Sequence, residues 1–213
     1  MNNEPRPSYP EEPAQAPDSQ PSRTESEGGH EQQPTPNPLI YVASLADHEA
    51  EHAHGVWLYA AGEPEAVYDD IHRMLGQSSV PGADRFAIHD SEGFGAFRVH
   101  DTDSIELVTK VARGIREYGL AYALWAEVNE DSPELLDHFT TAYTGHYESL
   151  SAYVSQRVQQ QGHESALDQA VPEYMRPFVR IDYEALGEQL FYDGDIMVCA
   201  ADGGGVWIFD ERA

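Results

Sequence analysis

The sequence predicts an α+β fold, and three observations point there. Short β-branched and aromatic runs stand near both ends of the apolar part of the chain: LIYVASL (39–45) and GVWLYAA (55–61) early, DIMVCA (195–200) and GVWIFD (205–210) late. Between these groups apolar residues recur at helical spacing. Strands gathered at two ends with helices between them do not make the alternating strand–helix pattern of a parallel sheet.

Each element has a local reason. Residues 63–77 read as a helix, with Pro64 in its first turn and Val67, Ile71, Met74 and Leu75 on one face. Residues 84–97 give a strand and a glycine-bearing turn, EGFGAF. A helix over 101–119 takes Asp101 or Asp103 as its cap and Gly119 as its stop, and 120–129 makes a second, more apolar helix. Ser132 and Pro133 have the residue types of an N-cap and first helical position, so DSPELLDHFTTAYTG predicts a restarted helix. Residues 147–161 predict an amphipathic helix with Tyr147, Leu150, Val154 and Val158 on its stripe. Residues 182–194 predict a helix capped by Asp182 and closed at Gly194, and the last two runs form a hairpin across ADGGG. The tryptophans and tyrosines occupy apolar positions of these elements, which predicts core roles for them.

The first 38 residues differ. They contain nine of the 14 prolines and no Val, Ile, Leu, Phe or Trp, so they lack the apolar surface needed to offset the entropy of ordering. A disordered tail is predicted for 1–38. That tail has two basic and seven acidic residues, so −21 of the chain's −26 belongs to the remaining 175 positions.

Such acidity narrows the function. Nucleic acid and anionic membranes both need a basic footprint, so neither is an expected direct partner. A strongly basic surface is. Cys199 is the lone cysteine, which leaves no cysteine pair for a disulfide or a cysteine-based zinc site. A polar N-terminus and the lack of an 18-residue apolar run predict neither signal peptide nor membrane span, hence a cytoplasmic protein.

Several stretches imitate catalytic motifs. HEAEH (48–52) matches H-E-x-x-H, in which His48 and His52 would bind zinc and Glu49 act as general base of a hydrolase. That chemistry needs both histidines on one face of a longer helix plus a third ligand. Here the segment lies between two strand-like runs, and the extended pattern's third histidine position, 58, is Leu. A solvated acidic connection is the better reading. EGFGAF and DGGGV lack the lysine of a phosphate loop, since the single lysine is Lys110. Asp69–Asp70 and Glu130–Asp131 are adjacent carboxylates that point apart on a helix or turn, without a nucleophile beside them. No cofactor or metal is expected, and no catalytic residue.

Four separated stretches, in order, resemble the ArdA antirestriction family: IYVASLADHEAEHAHGVWLYA (40–60), FAIHDSEGFGAF (86–97), FTTAYTGHYESLSAYV (139–154) and IDYEALGEQLFYDGD (181–195), the last followed by GVWIFD. The resemblance covers nearly all of 39–213 and excludes the tail. It implies a DNA mimic carried by mobile elements such as conjugative plasmids or transposons, which occupies the DNA-binding groove of type I restriction–modification enzymes. It also implies an elongated chain of three small modules, here 39–100 (sheet with helix), 101–146 (helical) and 147–213 (α+β), paired through the last into a homodimer. The mimic surface would then comprise Glu63, Glu65, Asp69, Asp70, Asp90, Glu92, Asp101, Asp103, Glu106, Glu117, Glu127, Glu130, Asp131, Glu134, Asp137, Glu184 and Glu188. Tyr147, Leu150, Val154 and Val158 become candidates for the subunit interface, since 147–161 is mostly neutral and carries Arg157. Another basic DNA-binding protein is the alternative target of the same surface.

Overall fold

A computed structural model describes residues 36–212. It is α+β, with two three-stranded antiparallel sheets and helices between and around them. The expectation for the tail lies outside the described residues except at 36–38, where the Pro38 carbonyl accepts from Ala60 N at 2.9 Å.

Strand β1 (Leu39–Ser44) is the centre of the first sheet, flanked by β2 (Gly55–Tyr59) and β3 (Phe86–Glu92). Its alternation fixes two faces: Ile40 and Val42 are fully buried, whereas Leu39, Tyr41 and Ala43 point the other way. Ser44 ends the strand and caps α1 (Leu45–Glu49), its hydroxyl accepting from Asp47 N at 3.3 Å. Helix α2 (Pro64–Leu75) lays Val67, Ile71, Met74 and Leu75 on the buried side of this sheet, as their spacing predicts.

Helices α3 (Ile105–Tyr118) and α4 (Leu120–Val128) form a pair broken at Gly119. They touch closely because Gly114 lacks a Cβ, which would fall within the ring of Tyr122. Next comes a 3-10 stretch (Pro133–His138), a single turn α5 (Phe139–Ala142) and strand β4 (Tyr143–Tyr147). Helix α6 (Leu150–Gln160), α7 (His163–Ala170), a 3-10 turn (Arg176–Phe178) and α8 (Tyr183–Tyr192) lead to β5 (Ile196–Ala200) and β6 (Val206–Asp210). The second sheet runs β4-β6-β5, with β6 central.

One aromatic cluster joins the parts. Phe139, fully enclosed, lies 5.0 Å from the rings of Tyr118, Tyr122 and Tyr143, and Trp125 stacks on Phe209 of β6 at 5.2 Å. The hydrophobic core that starts under the first sheet therefore continues through α3, α4 and Phe139 to Phe209, across positions 100 and 146. A smaller core lies between α6 and the second sheet, around Tyr153, Val154, Val158, Ile196 and Ile208.

Four local expectations are corrected. Ser104 caps α3, its hydroxyl accepting from Leu107 N at 3.2 Å; Asp103 instead accepts from His100 N at 2.8 Å in the preceding turn. Ser132 makes no side-chain cap, and the segment after it winds as a 3-10 helix. Tyr147 belongs to β4, and Ser149 starts α6. Trp57 and Tyr59 are not core residues: they are 41% and 38% exposed on the outer face of the first sheet.

Candidate functional site

The HEAEH segment is the first place to look for chemistry, and its geometry disperses the motif. Helix α1 ends at Glu49, and Glu51 takes a left-handed φ of 61°, so His48 and His52 do not share a helical face. Glu49 pairs with Arg85 at 3.4 Å, and the His54 ring N–H donates to the Met74 carbonyl at 2.7 Å. Asp47 is the buried acid of the segment. Hydroxyls of Ser44 and Ser78 hold its carboxyl below the usual carboxylate range, and the Ser78 bond, 2.6 Å long, ties α1 to the loop after α2. Among the described residues no group of three or more His, Cys, Asp or Glu side chains is placed to hold a metal ion.

The carboxylates of the candidate surface are all at least partly exposed. On α2 and its cap, Glu63, Glu65 and Asp69 face solvent, opposite the buried stripe, with Asp70 half-buried. Asp90 and Glu92 stand on β3, Asp101 and Asp103 in the turn before α3, and Glu106 and Glu117 on α3. Glu130, Asp131, Glu134 and Asp137 cluster along the connection after α4, and Glu184 and Glu188 lie on α8. Glu127 sits at the C-terminal end of α4, where the helix dipole disfavours an anion. A backbone amide compensates: Arg98 N donates to its Oε2 at 2.9 Å.

Few of these charges are neutralised. The 31 carboxylates of 39–212 face ten basic side chains, and five ion pairs form among the described residues, which leaves 26 carboxylates outside any pair. The pairs are Asp70–Arg73, Glu49–Arg85, Asp137–Lys110, Glu63–Arg113 and Asp195–Arg212. Tyrosines feel the same field. Burial, then the Glu106 charge, pushes Tyr68 up; its O–H donates to Glu106 at 3.3 Å. Tyr122 is pushed up to about 12 by burial and then by Asp137.

Asp103, Glu130 and Asp131 also rim a cavity of about 300 Å³ floored by Leu107, Ala126 and Leu136. Arg98 and His100 share that wall, and the lining contains no serine, cysteine or lysine.

The candidate interface residues are engaged within the chain. Val154 and Val158 are buried in the smaller core, and Tyr147 and Leu150 pack against it. The stripe's apolarity is thus used inside one copy, around the smaller core. What the sequence reading missed is several exposed apolar side chains later in the chain: Tyr174 at 77%, Phe178 at 84%, Tyr192 at 79%, with Met175 and Phe191 beside them in sequence. The signal was PEYMRPF, in which aromatics flank proline with no helical period to place them inside.

A folded α+β chain that displays its carboxylates rather than converging them is a protein of charged exterior. It belongs to the ArdA family: the family's sequence model, described as antirestriction protein (ArdA), matches residues 40–203. Comparison with curated proteins gives no match. Among the described residues no helix is long and apolar enough to cross a membrane.

Proposed function

We propose that this antirestriction protein is a non-catalytic DNA mimic that acts in the cytoplasm by occupying the DNA-binding groove of type I restriction–modification enzymes. The observation that carries the reading is the set of 26 carboxylates outside any ion pair among the described residues. B-DNA bears one charge per ~1.7 Å of axis, and a groove built for it binds phosphates largely without reference to sequence. Exposed carboxylates can meet the same basic side chains, and the summed field steers association at low salt.

The working unit in this reading is a homodimer, joined through the C-terminal part, with a net charge of twice −21, or −42, on its described portions. The exposed Tyr174, Phe178 and Tyr192 support it, because rings this open to water in the C-terminal part are candidates for burial on association. DNA cleavage and DNA methylation by a purified type I enzyme, measured with increasing amounts of the protein at low salt, test the proposal. Inhibition of both near stoichiometry is the expected result; full activity at large excess contradicts it. Pull-down of a different basic DNA-binding protein, with no restriction subunit, would redirect the same surface to that target.

A further inference from the structure

The outer face of the first sheet is unlike the rest of the acidic exterior. Residues directly opposite one another in antiparallel strands project to the same side. The register therefore builds two rows across this face: Trp57–Tyr41–Asp90 and Tyr59–Leu39–Glu92. The opposite face, with Ile40, Val42, Leu58 and Ile88, is the core side. Each outer row runs from an exposed aromatic on β2 to a carboxylate on β3, through the central strand. Tyr41 and Trp57 are in ring contact at 5.5 Å, inclined at 50°. The site is shaped around Tyr41: a Cβ at Gly55 would lie 2.7 Å from its ring carbon and hydroxyl, so any other residue at 55 would displace it.

A cation already uses one end of this face. The guanidinium of Arg116, from the last turn of α3, lies over the Tyr59 ring at 5.5 Å. That geometry is a cation–π contact. The other row has the better aromatic acceptor, Trp57, a second ring beside it and a carboxylate at its far end, with no cation over either ring among the described residues.

We infer that the Trp57–Tyr41–Asp90 row is an arginine-receiving site, which takes the guanidinium group of an arginine from a basic partner protein. Arginine fits because its planar head stacks on the Trp57 face, while Asp90, two strands away, adds attraction through its charge; a lysine ammonium is more strongly hydrated and lacks the flat surface. Charge complementarity selects the same occupant, since the face carries Asp90 and Glu92 in a chain of net charge −26. The inference rests on the proposed function only for who the partner is. A purely electrostatic mimic would respond to total positive charge, whereas this row distinguishes one cationic side chain from another.

Labelled nona-arginine and nona-lysine peptides, titrated into the full chain at matched ionic strength and followed by anisotropy, test it. The arginine peptide should bind more tightly, and Trp57→Leu should cut the ratio of the two affinities by about threefold to tenfold, because the lysine peptide loses less from the missing ring. Asp90→Asn should weaken both peptides. Circular dichroism of Trp57→Leu confirms that the fold survives, and a backup variant, Trp57→Phe, should give an intermediate ratio. An unaltered ratio in both Trp57 variants overturns the inference. So does burial of Trp57 that rises with protein concentration in the absence of peptide, because the face would then meet a second copy. The outcomes separate the two proposals. If type I enzymes are inhibited but the ratio ignores Trp57, the mimic reading stands and the arginine site falls. If the ratio depends on Trp57 but no enzyme is inhibited, the site stands and its partner is another arginine-bearing protein.

Discussion

Residues 39–142 and 143–212 differ less in charge than in what else they expose. The first region has 19 acidic and six basic side chains, a net of −13 over 104 positions; the second has 12 and four, a net of −8 over 70. Net charge density is nearly equal. Apolar exposure is not: the most exposed large apolar side chain of the first region is Val128 at 52%, whereas Phe178, Tyr192 and Tyr174 of the second reach 77–84%. Charge alone therefore does not divide labour along this chain. The first region keeps a large core and shows carboxylates, and the second also shows rings that water solvates poorly.

The largest expected effect tests whether the regions are coupled. Phe139→Ala empties the aromatic junction that links α3 and α4 to Phe209 of the second sheet. A loss of about 3–5 kcal/mol is expected, read by urea unfolding. Because the core is continuous, both regions should lose stability in one transition; a variant that unfolds only the second region would show them to be independent. Gly114→Ala, which drives a methyl into the Tyr122 ring, should cost about 1–3 kcal/mol and shift the same transition.

Next in size is an effect on association rather than on folding. If the proposed dimer pairs through these rings, Phe178→Ser combined with Tyr192→Ser should leave only monomer in light scattering, while the unfolding free energy of the monomer changes by about 0.5 kcal/mol or less. An unchanged dimer would move the interface elsewhere. Conversely, Val154→Ala should damage folding first, since Val154 is 1% exposed within its own chain.

Within the first region, carboxylates should divide by partner. Glu65→Gln with Asp69→Asn removes two charges outside any ion pair among the described residues. Weaker inhibition, a shallower salt dependence and no loss of stability are expected. Glu63→Gln breaks the exposed 3.0 Å pair with Arg113 and should cost at most about 1 kcal/mol. The smallest effect is at Asp47. Its carboxyl is held below the ordinary value by Ser44 and Ser78, so the stabilisation is complete above the unfolded pKa of about 3.9 and is lost as pH falls through the lower folded value. The stability gap between the wild type and Asp47→Asn should therefore close on acidification below about pH 4. A gap independent of pH would mean that packing, not ionisation, makes Asp47 useful.

The same contrast between regions explains what was legible in the sequence. Helix α2 carries Pro64 at its start and its own periodicity, helix α8 the Asp182 cap, and the β5–β6 hairpin its glycine turn, and each forms where its sequence places it. Strand β4 was hidden, because Tyr-Thr-Gly-His-Tyr has no clear alternation and follows a helical turn. What makes it a strand is pairing with β6 some 60 residues later, including the 2.9 Å bond from the Thr144 hydroxyl to the Ile208 carbonyl. The α3 cap is ambiguous because four capping residue types stand in a row, Asp101 to Ser104, and the turn at His100, which claims Asp103, leaves Ser104 for the helix. In Gly-Val-Trp-Leu-Tyr both alternating faces are apolar, so nothing local says that Val56 and Leu58 face inward while Trp57 and Tyr59 face out. For the surface, the acids themselves were readable, but their freedom was not. That depends on where ten basic side chains come to rest, and Glu63 with Arg113 meet across 50 positions of chain.

The measurement closest to the central claim is displacement of a labelled DNA duplex from a type I restriction–modification enzyme by the purified protein, across a series of salt concentrations. A DNA mimic should displace the duplex near stoichiometry at low salt and lose that ability as salt rises, in parallel with the DNA it replaces. If the enzyme keeps its DNA at low salt in the presence of excess protein, or binds both at once, the acidic exterior does not compete for the groove and the account is wrong.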